Sequence, residues 1–185
     1  MNNASSFFDG EKRVEIVPFD EGIHQNQFSD LNVEFLSWLD AEMISQHDVD
    51  ITPIMGIAVR EYVESVTDEF LAVKPPVGIT YLLRVDERAI GIGALRKPED
   101  GVGEIKRMYI QPEYRGNGYG RRLFKALLKK GKEFGYSKIR LETSDFMTSA
   151  HKIYRSEGFV EIDQFPGCET PEPYLPFALF MEKKL

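Results

Sequence analysis

The chain has 185 residues, within the usual range of about 100–200 for one domain, and a hydrophobic share of 42% with 13 Phe can fill a substantial core. A formal charge of −7 argues against a broad nucleic-acid footprint, which is ordinarily basic. The single Cys168 excludes an internal disulfide, and His24, His47 and His151 are too scattered to suggest structural zinc.

The opening MNNASSFFDGEKR has no signal-type apolar run, and nowhere do about 18 apolar residues follow one another to span a bilayer. A cytoplasmic protein without a membrane partner is expected. Residues 1–12 read as a loose, flexible tail ahead of one domain over 13–185, and RVEIVPF alternates as a first strand. Phe28, Leu31, Phe35, Trp38 and Leu39, then Met43 and Ile44, recur at helical spacing. Tyr62, Val63, Val66 and Phe70 mark a second helix. Both are expected to cover one face of a sheet, with some of their residues free to wall a substrate site. VKPP breaks the second helix, because proline removes a donor and fixes φ. GITYLLRV, AIGIGALR and GEIKRMYI follow with only DER and PEDG between them, which predicts an antiparallel meander. Gly91 and Gly93 mark close packing within it, or backbone exposed to a ligand.

From Gly103 a strand runs through QPEY and RGNGYG straight into RRLFKALLKKGKEF, whose Leu123, Phe124, Leu127, Leu128 and Phe134 share a helical face. A helix start leaves N–H groups unpaired at the positive end of the dipole, so this turn is an anion site by construction. Gly116, Gly118 and Gly120 let backbone approach a phosphate, and Arg115 and Arg121 add charge at the rim. No G-x-x-x-x-G-K-[ST] string occurs. A dinucleotide fingerprint would need G-x-G-x-x-G, whereas here the glycines fall at every second position; Glu142 does stand about twenty residues on, where a ribose-binding acid is expected. Gly135 stops the helix, and KIRLETS is a strand parallel to GEIKRMYI by the crossover rule. MTSAHKIYRSEGF is a last short helix, FVEI a sixth strand, QFPGCETPEPYLP a proline-rich connection and FALFMEKKL the closing strand.

GEIKRMYIQPEYRGNGYGRRLF, followed by LETSDFMTSAHKIYRSEGFVEI, resembles the GNAT superfamily of acyl-CoA-dependent N-acetyltransferases. The turn R-x-x-G-x-G is filled by Arg115, Gly118 and Gly120, and a downstream A-x-x-[LI]-Y-x-x-x-GF by Ala150, Ile153, Tyr154, Gly158 and Phe159. The resemblance covers about residues 103–162. It implies a single α/β domain with a mixed, mostly antiparallel sheet of about six or seven strands. Helices would lie on both faces, with one splayed strand pair for acetyl-CoA. It also implies direct attack by a primary amine, with no metal, and homodimers are common in the family.

Carried over residue by residue, the resemblance makes Glu104 the candidate base, itself or through a water relay, against a strand carboxylate paired with Lys106 or Arg107, and Tyr154 the general acid, against a tyrosine packed under the pantetheine arm. The N–H near Ile110 at a strand bulge would polarise the carbonyl. Met108, Tyr109 and Ile110 would flank the pantetheine arm, while Arg115, Gly116, Asn117, Gly118, Tyr119, Gly120 and Arg121 would hold the pyrophosphate. Met147 stands where many relatives have an asparagine that touches the arm, which puts that contact in doubt. The variable helices between the first two strands would help select the acceptor, a small amine or amino acid rather than a protein tail. Arg96 could grip a carboxylate, and Glu161, Asp163, Glu169 and Glu172 could draw a cation, although solvated surface roles are the simpler reading. Cys168 lies in a loop and is a poor nucleophile candidate. A non-catalytic acyl-CoA sensor is the alternative, against which the presence of both Glu104 and Tyr154 argues.

Overall fold

The computed structural model describes residues 5–50 and 52–185, without the side chains at 54, 55 and 69–71, so Phe70 lies outside the described side chains. β1 (Ser5–Asp9) pairs antiparallel with β2 (Lys12–Pro18) across a turn in which Gly10 takes φ 62°. Residues 5–9, expected within a loose tail, are therefore ordered. Backbone pairing holds them, and Tyr119 donates to Asp9 at 2.6 Å while the Arg122 guanidinium lies 4.0 Å from the centre of the Phe7 ring. SSFFD is an edge strand with most side chains exposed, so it lacks the alternation by which strands are read.

The expected meander is present: β2 pairs with β3 (Ile79–Val85), β3 with β4 (Arg88–Glu99) and β4 with β5 (Val102–Ile110), all antiparallel. β5 pairs parallel with β6 (Lys138–Ser144), β6 antiparallel with β8 (Ala178–Lys184), and β8 with β7 (Val160–Ile162). The sheet thus has eight strands in the order β1-β2-β3-β4-β5-β6-β8-β7, close to the six or seven expected.

α1 (Glu21–His47) is one continuous helix, opened by Asp20, whose carboxylate accepts from the Gly22 N–H at 3.0 Å. After α2 (Thr52–Met55), α3 (Val59–Ala72) ends just before VKPP. α1 buries Phe28 and Leu31 against Leu82, Ile92 and Tyr109 on one face of the sheet. On the other face α4 (Tyr119–Glu133) buries Leu123, Phe124 and Leu127, and α5 (Thr148–Ser156) adds Tyr154 to the same core. Each such fully buried side chain stabilises the fold by about 1.5–3 kcal/mol.

Gly91 and Gly93 serve close packing. A Cβ on Gly91 would stand 2.8 Å from the Tyr109 carbonyl, and one on Gly93 would stand 2.8 Å from the Met108 sulfur and 3.0 Å from Leu127.

Two irregularities in β5 open the sheet at its centre. The pairing of β5 with β6 runs from Val102 opposite Lys138 to Ile105 opposite Leu141 and stops, while β6 continues to Ser144 with β8 and β5 continues to Ile110 with β4. The parallel pair therefore splays. Opposite Gly93 the register steps from Tyr109 to Lys106, so Arg107 and Met108 bulge, with Arg107 at φ 57°.

Candidate active site

The gap between the splayed strands opens into a cavity of about 320 Å³. Ile105, Lys106, Arg107 and Met108 line it from β5, and Leu141, Glu142, Thr143 and Ser144 from β6. Phe35, Leu36, Leu39 and Asp40 of α1 with Tyr62 of α3 wall one side, and Met147 and Tyr154 contribute from the α5 region. Glu169, Thr170, Pro171 and Tyr174 of the C-terminal connection close it further.

Alternation decides which β5 groups face the gap. The Gln111 N–H bonds back to Ile90 on β4, so Ile110 and Met108, at odd offsets from it, turn their backbone groups to the opposite edge. Part of that edge is already used, because the Ile110 carbonyl accepts from Arg115 Nε at 2.9 Å. Tyr109 turns away on both counts: its backbone faces β4 and its hydroxyl donates to Glu34 at 2.8 Å under α1.

At the far end of β5 the turn has the expected backbone. Gly116 (φ 84°) and Gly118 (φ 76°) are left-handed, and a Cβ on either would meet nothing within 4 Å. Arg122 is the first residue to bond back into α4, to the Gly118 carbonyl at 3.1 Å, and no side chain caps the helix. The N–H groups of Tyr119, Gly120 and Arg121 thus lead the helix into open space beside the turn. Gly120 is helical, and a Cβ there would stand 3.7 Å from both Ile110 and Ile153, an ordinary contact.

Three side chains of the turn go elsewhere than charge alone suggests. Arg115 lies under α1, its guanidinium 4.8 Å from the Trp38 ring centre and 5.5 Å from that of Tyr109. Tyr119 is buried with its hydroxyl on Asp9, and Asn117 braces the turn by donating to the Tyr114 carbonyl at 3.1 Å. Only Arg121 stays at the rim, half exposed and paired with Glu157 at 2.9 Å.

Tyr154 is buried against Phe124, ring centres 4.8 Å apart, and lines the cavity. Burial pushes its phenol well above the ordinary tyrosine range, so it stays protonated at neutral pH. Met147, where a polar residue was expected from the resemblance, also lines the cavity, and its sulfur accepts from Thr143 at 3.4 Å.

Glu104 stands outside the cavity lining. Its side chain has 0% exposure, and its oxygens accept from Arg96 at 2.9 Å, Lys106 at 2.9 Å and Arg140 at 3.1 Å. The same cluster engages Glu169 through Arg96 and Lys106, and Glu142 through Lys106. Glu142 also accepts from the Thr170 N–H at 2.9 Å, so it belongs to the cavity wall and not to the glycine turn. Burial raises the Glu142 and Glu169 carboxyls, but the Lys106 charge and hydrogen bonds from Lys106, Thr170 and Arg96 outweigh it and hold both below the usual carboxylate range. Arg96 reaches Glu104 and Glu169 within this cluster through its two terminal nitrogens, while its buried Nε has no partner among the described residues, and Glu161, Asp163 and Glu172 are exposed. Cys168 is half-buried and accepts from Gln164 at 3.0 Å.

Sequence reasoning did not single out Asp40, Arg107 or Tyr174, and it took Tyr62 only as part of an apolar stripe. Tyr174 is buried and donates to Asp40 at 3.1 Å. Their adjacency is tertiary, and no local spacing announces it.

Splayed strands leading from a phosphate-type turn to a mixed cavity define an acyl-CoA N-acyltransferase fold, and solved structures agree. An acyl-CoA N-acyltransferase structure from Klebsiella pneumoniae matches at TM-score 0.65 with 25% identity, over 92% of this chain and 96% of its own. PaiA N-acetyltransferase of Thermoplasma acidophilum, solved with coenzyme A, matches at TM-score 0.67 with 18% identity, over 93% and 99%, which shows the fold alone. The profile of the acetyltransferase (GNAT) family matches residues 41–159, and the chain belongs to that family. Among relatives in sequence, the IAA acetyltransferase of Azospirillum brasilense is 38% identical over 97 residues, 52% of this chain and 61% of that protein. The chain thus spans less than two thirds of that relative's length.

Among the described residues no helix is long and apolar enough to cross a membrane, and no three His, Cys, Asp or Glu side chains gather as metal ligands.

Proposed function

We propose that this protein is a cytoplasmic acetyl-CoA-dependent N-acetyltransferase acting on a small primary amine. The observation that carries the reading is the cavity in the splay between β5 and β6, lined by Tyr154, in a chain that runs from the end of β5 through a glycine turn into the uncapped start of α4. The glycine turn fits a pyrophosphate: two left-handed glycines leave the space a Cβ would fill, and leading N–H groups supply donors. Bound there, acetyl-CoA supplies an acetyl thioester. The backbone of Met108 and Ile110 would hold its amides, and Arg121 would add charge at the mouth.

Tyr154 holds a proton at neutral pH inside the cavity, which suits donation to a departing thiolate. The amine must shed a proton before attack, since keeping a lysine-like amine neutral at pH 7 costs roughly 4–5 kcal/mol. Glu104 is held by three cations, which favours water as the proton's exit. Asp40, on the α1 wall, draws the cationic amine inward. The test is acceptor-dependent thiol release by the wild type and by Tyr154→Phe. A fall of about 10²-fold or more in kcat, with acetyl-CoA affinity unchanged, supports the acid role, and undiminished turnover refutes it.

A further inference from the structure

Most buried tyrosines of this fold are anchored by their hydroxyls. Tyr109 donates to Glu34 at 2.8 Å, Tyr119 to Asp9 at 2.6 Å, Tyr136 to the Val77 carbonyl at 2.7 Å and Tyr174 to Asp40 at 3.1 Å. Among the described residues the hydroxyls of buried Tyr154 and Tyr81 have no hydrogen-bond partner, and each of these two tyrosines lines a cavity. For Tyr154 it is the cavity of the strand gap. The cavity at Tyr81, of about 280 Å³, shares none of its described lining residues with the first, and acetyl transfer makes no use of it.

This second cavity lies between α4 and the β1–β3 side of the sheet. Ser5 pairs with Ile16 and Pro18 with Tyr81; cross-strand partners and alternate residues share a face, so Ser5, Ile16 and Tyr81 all turn toward α4. From α4 come Ala126, Lys129, Lys130 and Glu133, at the spacing of one helical face. Ala126 and Ser5 are small, which leaves the space between helix and sheet open. Ile16 and Tyr81 are 3% and 2% exposed, so the sheet side is apolar except at the phenol oxygen. The volume is several times the roughly 30 Å³ of one water, and a water also needs two to four polar partners. It falls just under the ≈300–1,000 Å³ usual for ligand sites, which limits the occupant to a small molecule.

Charge narrows the class of that molecule. Burial, and then the Glu133 charge, push the Tyr81 phenol up to about 12, so at neutral pH it has a proton to donate. Lys130 holds Glu133 at 2.6 Å, and that hydrogen bond keeps the Glu133 carboxyl below the usual carboxylate range. Lys129 stands 3.9 Å from the same carboxylate with its side chain 74% exposed. Two ammonium groups thus share one carboxylate around a phenolic donor, and the surplus charge is positive. A cation is disfavoured there, and a neutral ligand leaves the surplus unused.

We propose that this cavity is a second ligand site, for a short aliphatic carboxylate whose oxygens accept from the Tyr81 hydroxyl and the Lys129 ammonium while its chain lies on Ile16 and Ala126. The site stands whether or not the chain transfers acetyl groups.

The experiment titrates the full chain with butyrate, butyramide and butylamine, three probes of one shape and different charge, followed by the backbone amide and tyrosine-ring resonances. Butyrate should shift Tyr81 and the amides of residues 126–133 saturably, with a Kd of about 1–10 mM, within reach of so small a ligand. Butyramide should bind about 10-fold more weakly or worse, and butylamine not at all. Tyr81→Phe keeps the ring and breaks no bond within the protein, so its melting temperature should stay within about 1 °C of the wild type. It should nevertheless weaken butyrate by about 10-fold or more, the worth of a hydrogen bond to a charged group. Lys129→Gln should weaken it by about 2- to 5-fold, as for an exposed ion pair. Absence of saturable shifts overturns the inference, as do shifts confined to the glycine turn or the strand gap. So do equal binding of butyramide and an undiminished affinity in Tyr81→Phe.

Discussion

Glu104 is held by charges from three strands: Lys106, two residues on along β5, is a partner the sequence offers, whereas Arg96 of β4 and Arg140 of β6 lie at separations that no local motif reveals. The resemblance located the position but not its surroundings. Glu104→Gln should act as a folding mutation, because removing one member of a buried ion cluster costs about 3–5 kcal/mol. Thermal denaturation should show a clear loss, while the pH profile of kcat in the surviving folded fraction keeps its shape. Wild-type stability together with a lost basic limb would restore Glu104 as the base. Tyr154 is the opposite case, legible from its place in A-x-x-[LI]-Y-x-x-x-GF. Among the described residues its hydroxyl has no hydrogen-bond partner, so Tyr154→Phe should leave the melting temperature within about 1 °C of the wild type, a shift well below that of a 1 kcal/mol change. Arg115 shows where charge misleads. It stands in the turn, but its guanidinium lies over Trp38 and Tyr109 and its Nε donates to the Ile110 carbonyl.

The meander, α4 and the α4–β6 crossover were readable because alternation, helical spacing and short links each carry a local signal. β1 was not, since an exposed edge strand has no buried face to show. The turn before α4 was readable from its glycines, and its geometry yields a direct prediction. Gly118→Ala places a Cβ in a left-handed conformation that costs roughly 1–2 kcal/mol, and it fills space left for the ligand. Acetyl-CoA affinity should fall by about 10-fold or more by calorimetry, with KM for the amine unaffected; an unchanged affinity would move the pyrophosphate site away from the turn. The connection from β7 to β8 carries a second prediction. Glu142 and Glu169 have folded-state pKa values below those of a free chain. Their contribution is thus complete above the ordinary glutamate value of about 4.3 and is lost as pH falls through the lower folded values. Hydrogen exchange across residues 163–177 should therefore accelerate as pH drops through the carboxylate range, after correction for intrinsic rates, before the β2–β5 meander opens. Simultaneous opening of both would contradict it.

At the scale of the molecule, two helical layers on one eight-stranded sheet place the glycine turn at the end of β5 and set α1 over the cavity that the splay between β5 and β6 opens. The parallel pairing followed from the crossover rule. That the pair splays was implied by the family resemblance alone, and that it does so after Ile105 only by the structure, because pairing is a relation between strands that neither strand's sequence spells out. The cavity wall was least legible, since Asp40, Tyr62, Arg107 and Tyr174 come from four separate segments. Acetyl transfer at this cavity is the activity on which the proposed roles depend. It is tested most directly by following thiol release from acetyl-CoA by the purified protein against pools of amino acids, small amines, polyamines and lysine peptides, with Tyr154→Phe alongside. Release should depend on one pool and fall by about 10²-fold or more in the variant. Saturable acetyl-CoA binding with no release in any pool would contradict it and leave a protein that binds the thioester without using it.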